Sequence, residues 1–272
     1  MRALISADME GVTGVTCPDD VAPGSDRWDH YRAFFTRDVN AAISGLFDAG
    51  ASEVVVNEAH ANKRNLLLDR LDERAIALVG NHKALGMMEG IDGADVVAFV
   101  GYHTGSGCRG VLAHTYLPST ISSVRVNGST ASEGRMNALL AAEFGVPVVL
   151  TTGDDLTCQE AGEWSAEVVA VKEYVDRYTA RCLSPVRTEK AIRAAAASGL
   201  RRHSQPERPA GPFTFEVDFD ATHPVTAVTA IPGVEAAGDR GITFSLPTMV
   251  AAIRCFKAVT VLAAASVEDT YG

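Results

Sequence analysis

Residues 2–14 read RALISADMEGVTG, and the first part of this run decides the fold. Ala3 to Ala7 is apolar, too short for a surface helix, and lacks a 3.6-residue period, so it reads as a buried strand. It ends in Asp8, Met9, Glu10 and Gly11. Side chains alternate along a strand, which puts Asp8 and Glu10 on one side and Met9 on the other. Two carboxylates are thereby fixed side by side at the carboxyl end of a first strand, the edge of an open α/β sheet where ligands bind. Like charges this close call for a proton or a cation between them. A plain strand followed by a polar turn is the simpler alternative on these residues alone.

Working outward, a polar loop over 15–26 leads to a predicted helix over 28–49, with Phe34, Phe35, Val39, Ala42, Ile43, Leu46 and Phe47 at helical spacing and Gly50 as its stop. Glu53-Val54-Val55-Val56 is a second buried strand that closes a βαβ unit and ends in Asn57, Glu58, Ala59 and His60. A short helix over 66–71 and a strand over 75–79 follow, and Met87, Met88 and Ile91 read as core filler. The next strand, 95–100, delivers Gly101, Tyr102 and His103. His114 lies in an apolar setting at 111–114. Ile121 to Val126 runs into Asn127-Gly128, a hairpin signal. Ser132-Glu133-Gly134 introduces a helix over 135–144, where Glu133 also suits the positive end of the helix dipole. A strand over 146–150 ends in Gly153-Asp154-Asp155. An edge strand is expected over 167–172, and Leu183-Ser184-Pro185 caps a helix over 186–200.

Residues 201–212, RRHSQPERPAGP, form a polar, proline-rich connector. Beyond it, 213–219 alternates as a half-exposed strand, 225–230 and 242–246 read as further strands, and 248–265 is a closing amphipathic helix. The expected fold is α/β: a three-layer α/β/α arrangement on a mostly parallel sheet. The expected division is a metal-binding α/β domain over 1–204 and a smaller C-terminal α+β region over 205–272.

The 272 residues are 47% hydrophobic and 21% charged, with a formal net charge of −10. That balance argues against nucleic-acid and anionic-membrane binding, both of which need clustered positive charge. No run approaches the roughly 20 apolar residues of a membrane span. Two acids follow within ten residues of Met1, leaving no room for the apolar centre of a signal peptide, so a cytoplasmic protein is expected. Cys17, Cys108, Cys158, Cys182 and Cys255 are odd in number and contain no C-x-x-C pair, which indicates neither a disulfide framework nor a thiolate zinc site.

The polar residues that follow strands are Asp8, Glu10, Asn57, His60, His103, Glu133, Asp154 and Asp155, with His114 added from its apolar segment. Carboxylates and imidazoles are the usual ligands of catalytic zinc and related cations. His30, His82, His203 and His223 sit in polar surroundings and read as surface. Asp8, Glu10, His60, His103 and Glu133 are too many for one open zinc site, which takes three protein ligands plus water. They suit two cations about 3.5–4 Å apart that share a carboxylate. Asp8 is the natural bridge, one ion then taking Glu10 and His103 and the other His60 and Glu133. His114 is left over as a base or nucleophile.

The segments SADMEG at 6–11, NEAH at 57–60, GYH at 101–103, AHT at 113–115, EGRMNA at 133–138, GDD at 153–155 and CLSP at 182–185, in that order, resemble the D-aminopeptidase family of M55-type zinc metallopeptidases. The resemblance spans most of the chain. It implies two Zn2+ ions per subunit at Asp8, Glu10, His60, His103 and Glu133, with His114 as the catalytic residue. It also implies a ring-like homodecamer with an internal chamber, and release of an N-terminal residue, a D-amino acid, from short peptides. Two positions depart from the family pattern: Glu58 stands where Asp is usual, and GSGCRG at 105–110 precedes the AHT motif. Two rival functions remain at this stage. One is a dinuclear hydrolase acting on a non-peptide amide or, with Arg109 or Arg135 as the only cationic candidates, on a phosphoester. The other is a non-catalytic peptide- or metal-binding protein.

Overall fold

Ala3, Leu4, Ile5, Ser6 and Ala7 are all buried, and a strand covered on both faces belongs in the middle of a parallel sheet. The computed structural model, which describes residues 1–267, places it there. In chain order the strands are β1 (Arg2–Ala7), β2 (Glu53–Glu58), β3 (Ala75–Leu78), β4 (Val96–Val100), β5 (Ile121–Val126), β6 (Ser129–Thr130), β7 (Val148–Asp154), β8 (Val168–Asp176), β9 (Thr179–Cys182), β10 (Phe213–Phe219), β11 (Glu235–Ala236) and β12 (Gly241–Leu246). The helices are α1 (Asp26–Asp48), α2 (Glu133–Glu143), α3 (Asp155–Ala161), α4 (Pro185–Arg202), α5 (His223–Val228) and α6 (Met249–Ala265).

The main sheet has seven strands in the order β3-β2-β1-β4-β7-β8-β9, parallel except for the last pair. Strands β1 and β4 are neighbours, and the chain moves outward from β1 to β2 and β3 on one side of that pair and from β4 to β7, β8 and β9 on the other. The strand order therefore reverses between β1 and β4, where open α/β sheets place their ligands.

One face of the sheet, through Ala3, Ile5, Ala7, Val54 and Val56, shares a core with Phe35, Val39, Ile43 and Leu46 of α1 and Ile192, Ala196 and Leu200 of α4. The other face, through Leu4, Val55, Val97 and Phe99, shares a core with α2, α6 and a second sheet. That second sheet is antiparallel, ordered β11-β12-β10-β5-β6, and draws strands from both sides of residue 205. In β10, Phe213, Phe215, Val217 and Phe219 are buried and the residues between them are half-buried, the alternation of a one-sided strand. Phe215 lies 5.7 Å from Phe256 of α6, measured between ring centroids. No helix among the described residues is long and apolar enough to cross a membrane.

Helix starts follow the expected chemistry. Ser25 accepts from the Trp28 amide ahead of α1, and Ser132 from the Arg135 amide ahead of α2. Two expectations are corrected. Residues 225–230 are not a strand: Pro224 sits in the first turn of α5, and Pro224, Val225 and Val228 form its buried face. A short apolar run of that length does not distinguish strand from helix. Strand β8 is not an edge either. It is paired to β7 on one side and β9 on the other, and β9 is the edge. The β8–β9 turn at Arg177-Tyr178 carries no glycine or asparagine to announce it. All five cysteines are free.

Candidate metal centre

The end of β1 and the end of β4 are clasped through main chain. The Asp8 amide donates to the Val100 carbonyl (2.8 Å) and the Gly11 amide to the Gly101 carbonyl (2.7 Å). A Cβ on Gly11 would stand 1.9 Å from the Tyr102 oxygen, and one on Gly101, where φ is +76°, would stand 2.0 Å from the Asp8 oxygen. Only glycine permits this approach, which delivers Asp8 and Glu10 from one strand and His103 from its neighbour into the same space. Met9 turns away into the α1 core, as strand alternation predicts. Strand β2 contributes His60 just past its end, and Glu133 projects from the first turn of α2.

Asp8 lies between two imidazoles. Its Oδ1 is 3.4 Å from His60 Nδ1, and its Oδ2 is 3.4 Å from His103 Nε2. His60 Nδ1 is also 3.1 Å from Glu10 Oε2, His103 Nε2 is 3.8 Å from Glu133 Oε1, and His114 Nε2 is 3.8 Å from Glu10 Oε1. Donor atoms of Asp8, Glu10 and His103 lie within 4.8 Å of one another, as do those of His103, His114 and Glu133. All six residues are buried, and they line a cavity of about 380 Å³ walled also by Val21, Lys63, Met87, Tyr116 and Pro118.

Each histidine has one nitrogen fixed by a backbone carbonyl. His60 Nε2 is 2.8 Å from the Val21 oxygen, His103 Nδ1 2.9 Å from that of Thr104, and His114 Nδ1 2.8 Å from that of Leu112. A carbonyl only accepts, so these nitrogens carry the proton; the opposite nitrogens face the cavity among carboxylates, His60 Nδ1 within 3.1 Å of Glu10 Oε2, where a metal ion would take the place of a second proton. Asp8 Oδ2 and His103 Nε2 are buried without any hydrogen-bond partner. Buried polar atoms are rarely left so. This donor set fits zinc, which takes imidazole nitrogen and carboxylate oxygen.

The electrostatics agree. Burial alone would depress His103, yet the adjoining carboxylates of Asp8, Glu133 and Glu10 lift it to about 10. His60 is likewise raised well above its ordinary value against the effect of burial, by Glu10 and Asp8. Burial would raise Asp8, but His103 and His60 pull it far below the carboxylate range. Burial pushes Glu133 up to about 7 despite His103. The pocket thus draws positive charge to its centre. His114 differs: burial, then the charge of His103, pushes it down to about 4.

Of the other residues singled out from sequence, Asn57 donates to the Gly86 and Met87 carbonyls below the site. Asp154 caps α3 through Thr157 and accepts from the Val111 amide, which anchors the loop bearing His114. Asp155 accepts from the Tyr174 amide. Arg109 stacks on Tyr174, and Arg135 pairs with Glu160 and Glu163, so neither lines the cavity. His30, His82 and His223 are exposed and His203 is half-buried. Glu58 accepts from the Asn65 amide and side chain and from the Leu66 amide (3.4 Å), while Asn65 Nδ2 donates to the His60 carbonyl.

Lys172 escaped the sequence reading. It is fully buried, and its ammonium donates to the carbonyls of Glu10 (2.6 Å), Val12 (3.1 Å) and Val15 (2.7 Å). It therefore fixes the turn that carries Glu10. A lysine directly after the apolar run Val168 to Val171 was the available signal.

A model of a peptidase family, M55, described as D-aminopeptidase, matches residues 1–258. The D-aminopeptidase of Bacillus subtilis (strain 168) is 30% identical over 278 aligned positions, covering 97% of this chain and 98% of that protein. The solved structure of the Zn-dependent D-aminopeptidase DppA from Bacillus subtilis, described as a self-compartmentalizing protease, superposes with a TM-score of 0.92. That match has 27% identity over 97% of this chain and 98% of the other.

Proposed function

The chain belongs to the D-aminopeptidase family, and from that membership we propose that it is a zinc-dependent aminopeptidase that releases the N-terminal residue, a D-amino acid, from short peptides. The observation that carries the reading is the convergence of Asp8, Glu10, His60, His103 and Glu133 in one buried cavity, with Asp8 Oδ2 and His103 Nε2 left unpartnered. These five residues would hold two Zn2+ ions. Asp8 would bridge them, and the interatomic distances favour Glu10 with His60 on its Oδ1 side and His103 with Glu133 on its Oδ2 side. This pairing differs from the split expected from sequence, although Asp8, Glu10 and His103 are also within one ion's reach. Zinc bound there supplies a Lewis acid and brings the ionisation of water toward neutral pH.

The remaining work falls to side chains. His114 is held as the Nδ1–H tautomer by the Leu112 carbonyl and turns a free Nε2 into the cavity. Its depressed basicity keeps it neutral at pH 7, able to accept a proton and pass it to the leaving amine. Glu10 Oε1, near His114 Nε2, can steady the imidazolium that results. The subunits are taken to assemble as a ring-like homodecamer in the cytoplasm. The relative's description as self-compartmentalizing supports the assembly.

The test is metal analysis of the purified chain combined with a panel of D- and L-aminoacyl p-nitroanilides and dipeptides, with and without chelator. Chelator-sensitive release from D-aminoacyl substrates is expected. No release from any of them at full metal loading would favour a binding protein.

A further inference from the structure

The cavity over the metal-centre residues adjoins a second one of about 350 Å³, and the two share Lys63, Met87 and Tyr116 as walls. The far side of the second cavity is lined by Lys83, Lys257, Leu85 and Ile253. The chain has only five lysines, and three of them meet here. No ion pair within 4.0 Å joins any of the three to an acid among the described residues. In a chain of net charge −10, that concentration of unneutralised ammonium groups beside a reaction site is a built feature.

The donor count shows which of them are available. An ammonium has three N–H groups. Lys83 gives two of its own to the Glu58 and Leu78 carbonyls, each at 2.7 Å, and so is largely structural. Lys63 gives one to the Ala61 carbonyl (2.9 Å), and Lys257 one to the Lys83 carbonyl. Among the described residues, both keep N–H groups free for a ligand. Lys63 also occupies a strained backbone position, φ +57°, secured by hydrogen bonds from its amide to the His60 carbonyl (2.8 Å) and from the Gly80 amide to its own carbonyl (2.7 Å). A non-glycine residue is rarely held there, and such strain clusters where a side chain must be aimed.

We infer that the second cavity receives the C-terminal carboxylate of the substrate, with Lys63 as its contact and Lys257 behind it, so that the site selects short peptides with a free α-carboxylate one or two residues beyond the cleaved bond. The inference rests on the aminopeptidase reading and deepens it. A charge-assisted hydrogen bond to a carboxylate in a partly buried cavity is worth about a factor of ten or more in affinity.

The experiment is equilibrium binding to the metal-loaded protein of a dipeptide analogue whose scissile carbonyl is reduced to methylene, as the free acid and as the C-terminal carboxamide. Wild-type protein is expected to favour the acid about tenfold or more. Lys63→Gln and Lys257→Gln are each expected to lower that ratio, and Lys63→Arg to restore it. Equal binding of the two forms, binding of neither, or a ratio unchanged in both glutamine variants overturns the inference. Hydrolysis of the parent dipeptide is followed separately. If the acid preference and its loss are seen but no peptide is cleaved, the carboxylate subsite stands and the peptidase assignment falls.

Discussion

The imidazole rings of His103 and His114 lie face to face, their centroids 4.2 Å apart and their planes within 9° of parallel. Two stacked imidazoles cannot both carry a charge cheaply, and burial keeps His114 uncharged while the Leu112 carbonyl holds it as the Nδ1–H tautomer. His114 is left as the neutral, proton-accepting member. His114→Ala is therefore expected to keep its zinc content while losing about 10²–10⁴-fold in kcat. Turnover at the wild-type level on every peptide tested would remove His114 from the mechanism.

Asp8 contacts both halves of the centre, whereas His60 contacts only one. Asp8→Ala should lose both ions and all activity. His60→Ala should retain one ion per subunit, measured by elemental analysis after gel filtration. Two ions retained in Asp8→Ala would show that this carboxylate is not the bridge.

Lys172 is expected to matter to stability as well as to activity. Lys172→Met leaves the Glu10, Val12 and Val15 carbonyls without their buried donor. That should cost about 3 kcal/mol and lower Tm by roughly 6–12 °C. Zinc affinity should fall with it, because the turn holding Glu10 is released. An unchanged melting curve would mean that other groups fix this turn.

Asp38 gives a pH dependence of definite sign. Burial lifts its carboxyl from 3.8 to about 6, against the hydrogen bonds it accepts from the Thr13 amide and hydroxyl. A raised acid favours its protonated form in the fold, so the contribution of Asp38 to stability is full below about pH 4 and is lost as pH rises from about 4 to about 6. The loss amounts to about 3 kcal/mol at most. Urea unfolding of wild type and Asp38→Asn at several pH values isolates this contribution. The wild type should lose stability relative to the variant across that window. A constant difference between them would mean that Asp38 is ionised throughout.

The strand-end residues were legible because two simple periods place them. Alternation along β1 put Asp8 and Glu10 on one side, and the apolar runs of β2 and β4 ended where His60 and His103 begin. Glu133 was legible as a residue opening a helix. Long-range contacts between chemically plain groups were not. Nothing in the sequence states that the Val21 carbonyl orients His60, that Asp154 ties down the His114 loop, or that Lys172 reaches back across the sheet to residues 10–15. The run at 225–230 failed for a local reason, since four or five apolar residues fit either period. Pro224 was the discriminating residue.

The clasp between Gly11 and Gly101 is main chain to main chain, and its span is set when β1 and β4 pair. The coordinates of the ion seat are thus inherited from the backbone and do not depend on the side chains that later fill it. Ligand residues could be exchanged one at a time, retuning the site for another cation, on an unaltered platform. The two glycines could not: any larger residue at either position would wedge the strand ends apart and dismantle the seat, whatever ligands it carried.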